Sequence, residues 1–378
     1  MKRRDFLNTG LALGATGLCS TILAGEAPSI SAPKGFKKIR IAQIGVLHEH
    51  ASGKMNSMKQ LPEYFEILGI AAENPEAEKK HRNAKIYKDL KWMSKEELFA
   101  LPGLEAVAVE TEMTDLLPTA VQCAERGLHM HLDKPLGQEL SECKKMLDVC
   151  KKHKVIVQPG YMFRTNQAFR LALKAVKNGW LGEIFDVRAN MDRSDFSPGF
   201  RKWLATYRGG GMYDFGSHLV DFVVELLGAP KKIDVFEKPD PKDGLSDNTL
   251  SVLSYDRALV QLRVNQKNPY AFKKRSLTIT GTKGRFELDP LECWDKDPKT
   301  GNVVPLNVVL SLQEENPEYK AGVHELKIQP FNDRYFGQLI DFAKFVRGEK
   351  KNPYSYKQEL LVQKTILAAS GYIPWTAE

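Results

Sequence analysis

Between Lys38 and Val157 the chain repeats one pattern: a short apolar strand, a polar connection, then a helix. The strands are Lys38-Ile39-Arg40-Ile41-Ala42-Gln43-Ile44, Phe65 to Ala72, Ala106-Val107-Ala108-Val109, Leu128 to Leu132 and Val155-Ile156-Val157. Helices are expected from about His50 to Gln60, Leu117 to Arg126 and Ser141 to Lys152. Strands that are apolar on both faces and alternate with helices form a parallel sheet covered on both sides. That excludes an all-β or all-helical start.

After residue 158 the pattern changes. Glu183 to Met191, Ser251 to Ser254, Ala258 to Val264 and Ser276 to Thr280 alternate apolar with polar. Gly281-Thr282-Lys283-Gly284 reads as a turn into Arg285 to Leu288, and two helices follow over 335–346 and 357–369. Strands joined by turns argue for an antiparallel sheet. With 378 residues, two domains are expected. The reading is an α/β protein: residues 35–157 form a parallel-sheet domain, and 158–378 form an α+β domain with a large, open, mostly antiparallel sheet.

Residues 1–34 read as an export signal and linker. Lys2-Arg3-Arg4-Asp5-Phe6-Leu7 precedes an apolar run, Leu11 to Ala24, that is short and rich in Gly, Ala, Ser and Thr. This resembles a twin-arginine (Tat) signal, with cleavage near Ala24. A periplasmic or otherwise exported location and a passing partnership with the Tat machinery follow as expectations. That route carries folded proteins, which suits a tightly held cofactor. Cys143 and Cys150 stand seven apart on a helix, a rise of roughly 10 Å, too far for a disulfide. Free buried thiols are expected. The net charge is +8, but its lysines, such as Lys144, Lys145, Lys151 and Lys152, lie on polar helix faces. No zinc-finger spacing and no aromatic-rich binding strand accompanies them, so nucleic acid is not an expected partner.

Gly45 ends the first strand where a dinucleotide fold places its first phosphate-loop glycine. Leu47 and His50 stand where the second and third glycines would be, a departure. Glu73, 28 residues beyond Gly45, ends the second strand, where an acid holds adenosine ribose hydroxyls and favours NAD over NADP. Gly45, Leu47, His48, Glu73, Thr111, Asp133 and Lys134 are the candidate cofactor contacts. The loop Glu110-Thr111-Glu112-Met113-Thr114-Asp115 is acidic for a site beside a pyrophosphate. His48 and His50 flank Glu49, and His129, His131 and Asp133 share one strand face, so they could converge. Their spacing matches no strong metal motif, and no metal is predicted.

Two clusters carry the chemistry: His129-Met130-His131-Leu132-Asp133-Lys134-Pro135, and Gly209-Gly210-Gly211-Met212-Tyr213-Asp214-Phe215-Gly216-Ser217-His218. Asp214 and His218 are one helical turn apart. An imidazole beside a carboxylate is a general acid/base, and a strand-end lysine can donate to a hydroxyl that becomes a ketone.

On these residues the chain resembles the Gfo/Idh/MocA oxidoreductases. Asp133-Lys134-Pro135 stands where that family has Glu-Lys-Pro, and the triple glycine with Asp214 and His218 is similar to its catalytic helix. Gly160 to Arg164, Ser276 to Leu288 and Ala368 to Tyr372 also match. The resemblance implies a Rossmann domain, NAD(P), a ring hydroxyl of a sugar, glycoside or cyclic polyol as substrate, and a homo-dimer or tetramer. It makes His218 the acid/base, Asp214 its orienting partner or a substrate ligand, and Lys134 a donor to substrate and nicotinamide. Arg164, Tyr213 and His218 would then line the substrate pocket. Two other readings stay open: an NAD-assisted glycosidase or lyase with transient ring oxidation and no net redox, and a cofactor-free sugar-binding or lyase homologue.

Overall fold

A computed structural model describes residues 27–194 and 197–377. The twin-arginine-like segment and Cys19 lie outside the described residues. Among the described residues no helix is long and apolar enough to cross a membrane.

The first layer is a five-stranded parallel sheet of β1 (Ile39–Ile44), β2 (Phe65–Ala71), β3 (Ala106–Val109), β4 (His129–Leu132) and β5 (Val157–Pro159), in the order β2-β1-β3-β4-β5. Each strand pairs in parallel with its neighbour. Both faces are covered, as the doubly apolar strands require. On one face Ile44, Val107 and Met130 pack with Leu116, Cys123, Cys143 and Leu147. On the other, Ile39 and Ile41 pack with Met55 and Met58, and with Leu339 and Phe342 from the helix Phe336–Arg347. That helix comes from the far end of the chain. Arg347 locks it down by bonding Glu105 (2.7 Å) and the Lys38 carbonyl (2.5 Å). The expected helix 335–346, placed with the second domain by sequence order, thus completes the core of the first.

The second sheet has eight strands: β6 (Ile184–Asn190), β7 (Lys232–Pro239), β8 (Ser246–Ser254), β9 (Leu259–Asn265), β10 (Ser276–Gly281), β11 (Gly284–Leu288), β12 (Leu306–Leu312) and β13 (Gly322–Ile328). Their order is β13-β12-β11-β10-β6-β9-β8-β7, and only the β6–β9 pair is parallel. The inner face buries Val187, Leu262, Val264, Ile279 and Val308 against the helices Gln167–Lys177, Gly216–Leu227 and Tyr356–Ala369. The outer face leaves Phe236 and Val323 more than half exposed. Cys123, Cys143 and Cys150 are free and buried, as expected, and Cys293 is free and half-buried.

In the first sheet the strand order reverses at β1, which lies between β2 and β3. Ligands of such sheets bind in the crevice at the carboxyl ends of the strands beside that switch point. The two sheets meet there, because the cavity described below takes residues from both.

Candidate active site

Gly45 leaves β1 at φ +99°, and a Cβ on it would lie 2.5 Å from the backbone of Glu110 and Thr111. The glycine is therefore required by the close crossing of the loops after β1 and β3. Leu47 turns inward and packs beside the core that holds Ile39 and Met55. Glu73, at the end of β2, accepts hydrogen bonds from Val46 N and Leu47 N, each at 3.1 Å. The expected acid thus stands at the end of β2 and pins the loop. Thr111 Oγ1 is buried beside that loop without a partner.

Asp133 and Lys134 follow β4, where the strand end projects into the crevice. Both are buried. Lys134 Nζ meets Asp214 Oδ1 at 2.5 Å and donates to the Asp214 carbonyl at 3.0 Å. Asp214 ends the short helix Gly210–Asp214, and His218 lies in the next helix, Gly216–Leu227. The triple glycine lets that turn approach its neighbours: a Cβ on Gly209 would sit 2.4 Å from the Ser370 carbonyl, and φ is +77°. The expected Asp214–His218 pairing is corrected here. The helix breaks between them, and Asp214 gives Oδ1 to Lys134 while His218 Nδ1 is buried with no partner. Burial, together with the charges of Lys134, Arg334 and His50, holds the His218 pKa well below its usual value. The imidazole is therefore neutral here, the protonation state that a proton acceptor needs.

A cavity of about 420 Å³ opens onto Lys134 and His218. Glu49, His50, Lys134 and His218 line one side, and Arg193, Arg275 and Arg334 bring three guanidiniums to the lining. Arg275 is itself paired with Glu292 at 2.5 Å. The lining is electropositive apart from Glu49. Burial would raise the Glu49 pKa, but its bond to His50 and nearby positive charges lower it to about 2.

Two expected pocket residues stand elsewhere. Arg164 is buried and forks between Asp221 (2.6 Å) and Glu359 (2.7 Å), stacked on Tyr354. It ties three helical segments together and does not line this cavity. Tyr213 is fully buried between Tyr207 and Tyr372 and is likewise absent from the lining. Sequence spacing could not show this, because the partners Asp221 and Glu359 are remote in the chain. The arginines of the cavity, on the other hand, gave no local motif.

The suggested convergence of His129, His131 and Asp133 is also corrected. His129 Nδ1 accepts from Ile156 N at 2.9 Å. His131 is buried between Lys54 Nζ (2.6 Å) and Gln158 Oε1 (2.9 Å). Asp133 instead meets His48 Nδ1 at 3.0 Å and His50 Nδ1 at 2.9 Å. The i, i+2 rule holds for the strand, but Asp133 lies past its end.

The comparisons with known proteins agree with the two-domain fold. The family model described as "Oxidoreductase family, NAD-binding Rossmann fold" matches residues 39–161, and a "GFO/IDH/MocA C-terminal domain" matches 169–287. An uncharacterized oxidoreductase of Schizosaccharomyces pombe is 26% identical over 182 residues, 47% of this chain and 48% of that protein. The chain thus spans about half the length of that curated relative. The Myo-inositol 2-dehydrogenase of Thermotoga maritima is 24% identical over 272 residues, 70% of this chain and 74% of that one. Among solved structures, the WlbA dehydrogenase of Bordetella pertussis, in complex with NADH and UDP-GlcNAcA, superposes with a TM-score of 0.68 at 18% identity, covering 90% of this chain and 100% of that one.

Proposed function

From a chain that belongs to the Gfo/Idh/MocA oxidoreductases and carries their NAD-binding Rossmann domain, we propose an exported dehydrogenase that oxidises a ring hydroxyl of a sugar, sugar acid or cyclic polyol. The observation that carries the reading is a buried His218 and Lys134 lining one cavity, with Asp214 holding Lys134 from behind.

The residues present fit the dinucleotide. Glu73 stands at the end of β2 to take ribose hydroxyls, Thr111 Oγ1 offers an unused polar atom, and Gly45 lets the loop lie flat against β3. Val46 and Leu47 N–H are engaged by Glu73, so the phosphates would rely on the rest of the loop and the start of the helix Ala51–Lys59. When bound, NAD+ supplies a hydride acceptor. His218 takes the proton of the substrate hydroxyl. Lys134, aimed by Asp214, donates to the substrate oxygen as it gains carbonyl character. Asp214 acts by positioning Lys134.

The three arginines of the lining favour an oxygen-rich substrate with an anionic group, such as a sugar acid. The Lys2-to-Leu7 segment supports passage through the Tat machinery. A homo-oligomer rests on the family resemblance, since Phe236 and Val323 stand on opposite edge strands of the sheet. The test is NADH formation by the full chain across a panel of sugars, sugar acids and cyclic polyols. His218→Ala should keep the fold and the bound cofactor and lose turnover. Undiminished turnover in that variant would overturn the assignment.

A further inference from the structure

We propose that His48, His50 and Asp133 form a binding site for a divalent metal ion of the zinc type, at the edge of the substrate cavity. One ligand atom from each of the three residues lies within 4.8 Å of the others. Both Nδ1 atoms approach the same oxygen, Asp133 Oδ2, at 3.0 and 2.9 Å. Ligands of a tetrahedral zinc, at about 2.0–2.2 Å from the metal, stand roughly 3.3–3.5 Å from one another. The two imidazole–carboxylate separations need to open by only a few tenths of an ångström to admit the ion.

Asp133 Oδ2 is the point on which both imidazoles converge: His48 Nδ1 is 3.0 Å from it, with the His50 backbone N–H 3.3 Å away on another side. A proton shared with the carboxylate holds the group together without metal, and a divalent cation takes that proton's place when it binds. His48 is itself buried, 5% exposed, and its Nε2 has no partner.

The surroundings have the form of an outer ligand shell. A metal-bound histidine commonly gives its other ring nitrogen to a carboxylate; His50 Nε2 lies 3.4 Å from Glu49 Oε1. Lys134 N donates to Asp133 Oδ1 at 2.6 Å, leaving Oδ2 as the ligand oxygen. Three protein ligands leave a fourth position open, the pattern of a catalytic rather than a closed structural site. His50 lines the cavity with Lys134 and His218, so that position is reachable by a substrate oxygen. The residue types, two imidazoles and one carboxylate, select zinc-like ions over calcium or magnesium.

The test is binding of metal alone to the full chain. Chelator-stripped protein is titrated with Zn2+ and, separately, Co2+; bound metal is measured after gel filtration, and the Co2+ form is examined for the intense visible bands of a tetrahedral complex. About one equivalent is expected, with those bands. His50→Ala and His48→Ala should each lose the stoichiometric metal, and Glu49→Gln should weaken it about 10–100-fold. His153→Ala, at an exposed helix end, should change nothing. Should His48→Ala fail to fold, His50→Ala decides alone, since the His50 ring is partly exposed. Absence of stoichiometric metal in the wild type, or equal binding by both histidine variants, would overturn the site. The readout uses neither substrate nor NAD. Metal without NAD would therefore contradict the redox reading alone, and NAD without metal would contradict only this one.

Discussion

Arg164→Met separates a pocket residue from a structural tie. Arg164 holds two buried carboxylates, Asp221 through Nε and Nη2 and Glu359 through Nη1 and Nη2, at 2.6–3.1 Å. All three side chains are at most 4% exposed. Methionine fills much of the volume but leaves both acids without a counter-charge. Removing one partner of a buried ion pair costs about 3–5 kcal/mol. With about 2.1 cal/mol/K per residue and about 350 ordered residues, that corresponds to a fall in Tm of about 4–7 °C.

The loss should depend on pH. Burial, opposed by Arg164 and reinforced by the charge of Glu359, raises the Asp221 pKa to about 7. A carboxyl whose folded pKa lies above its unfolded value contributes stability below the unfolded pKa, and that contribution is lost as pH rises through the folded pKa. Without the guanidinium the folded pKa rises further, so the part of the deficit that comes from Asp221 should be absent near pH 5, begin near pH 7 and be larger at pH 8. Urea denaturation at pH 5 and pH 8 measures it. A variant with unchanged stability and a raised KM would refute the reasoning and return Arg164 to the substrate pocket.

Other expectations follow from the same structure. Gly45→Ala places a Cβ 2.5 Å from the Glu110 and Thr111 backbone at φ +99°, so it should cost about 1–3 kcal/mol and reduce the NAD retained on purification. Glu105 is held at a pKa of about 2, first by its bond to Arg347. Its contribution is present above the unfolded value and is lost as pH falls toward 2, so Arg347→Met should reduce stability at neutral pH and converge with the wild type in acid. If the arginine-lined cavity takes a sugar acid, a uronate should show a lower KM than its neutral parent sugar, and Arg334→Gln should narrow that gap.

The sheets were legible because burial leaves periodic traces. β1, β3 and β4 read as short apolar strands, and β10 and β11 as alternating segments around a glycine turn. β7 and β13, the two edge strands, were not legible, and β7 shows no clear alternation of burial along its length; β12, an interior strand of alternating burial, was missed as well. β5 lies two residues later than expected, at Val157–Pro159. In the site, Lys134, Asp214 and His218 stood in local motifs and meet in space. The partnership of Asp133 with His48 and His50 spans more than eighty residues of chain, and only the packing of the β1 and β4 ends brings them together. The same holds for Arg164, whose partners lie on two later helices.

The most direct test of the account is the nucleotide content of the full chain. Protein purified from a host able to export through the twin-arginine route is denatured, and the supernatant is assayed for NAD(H) by absorbance and mass spectrometry. The account predicts close to one NAD(H) per chain. No released nucleotide, together with no binding of added NAD+, would contradict it.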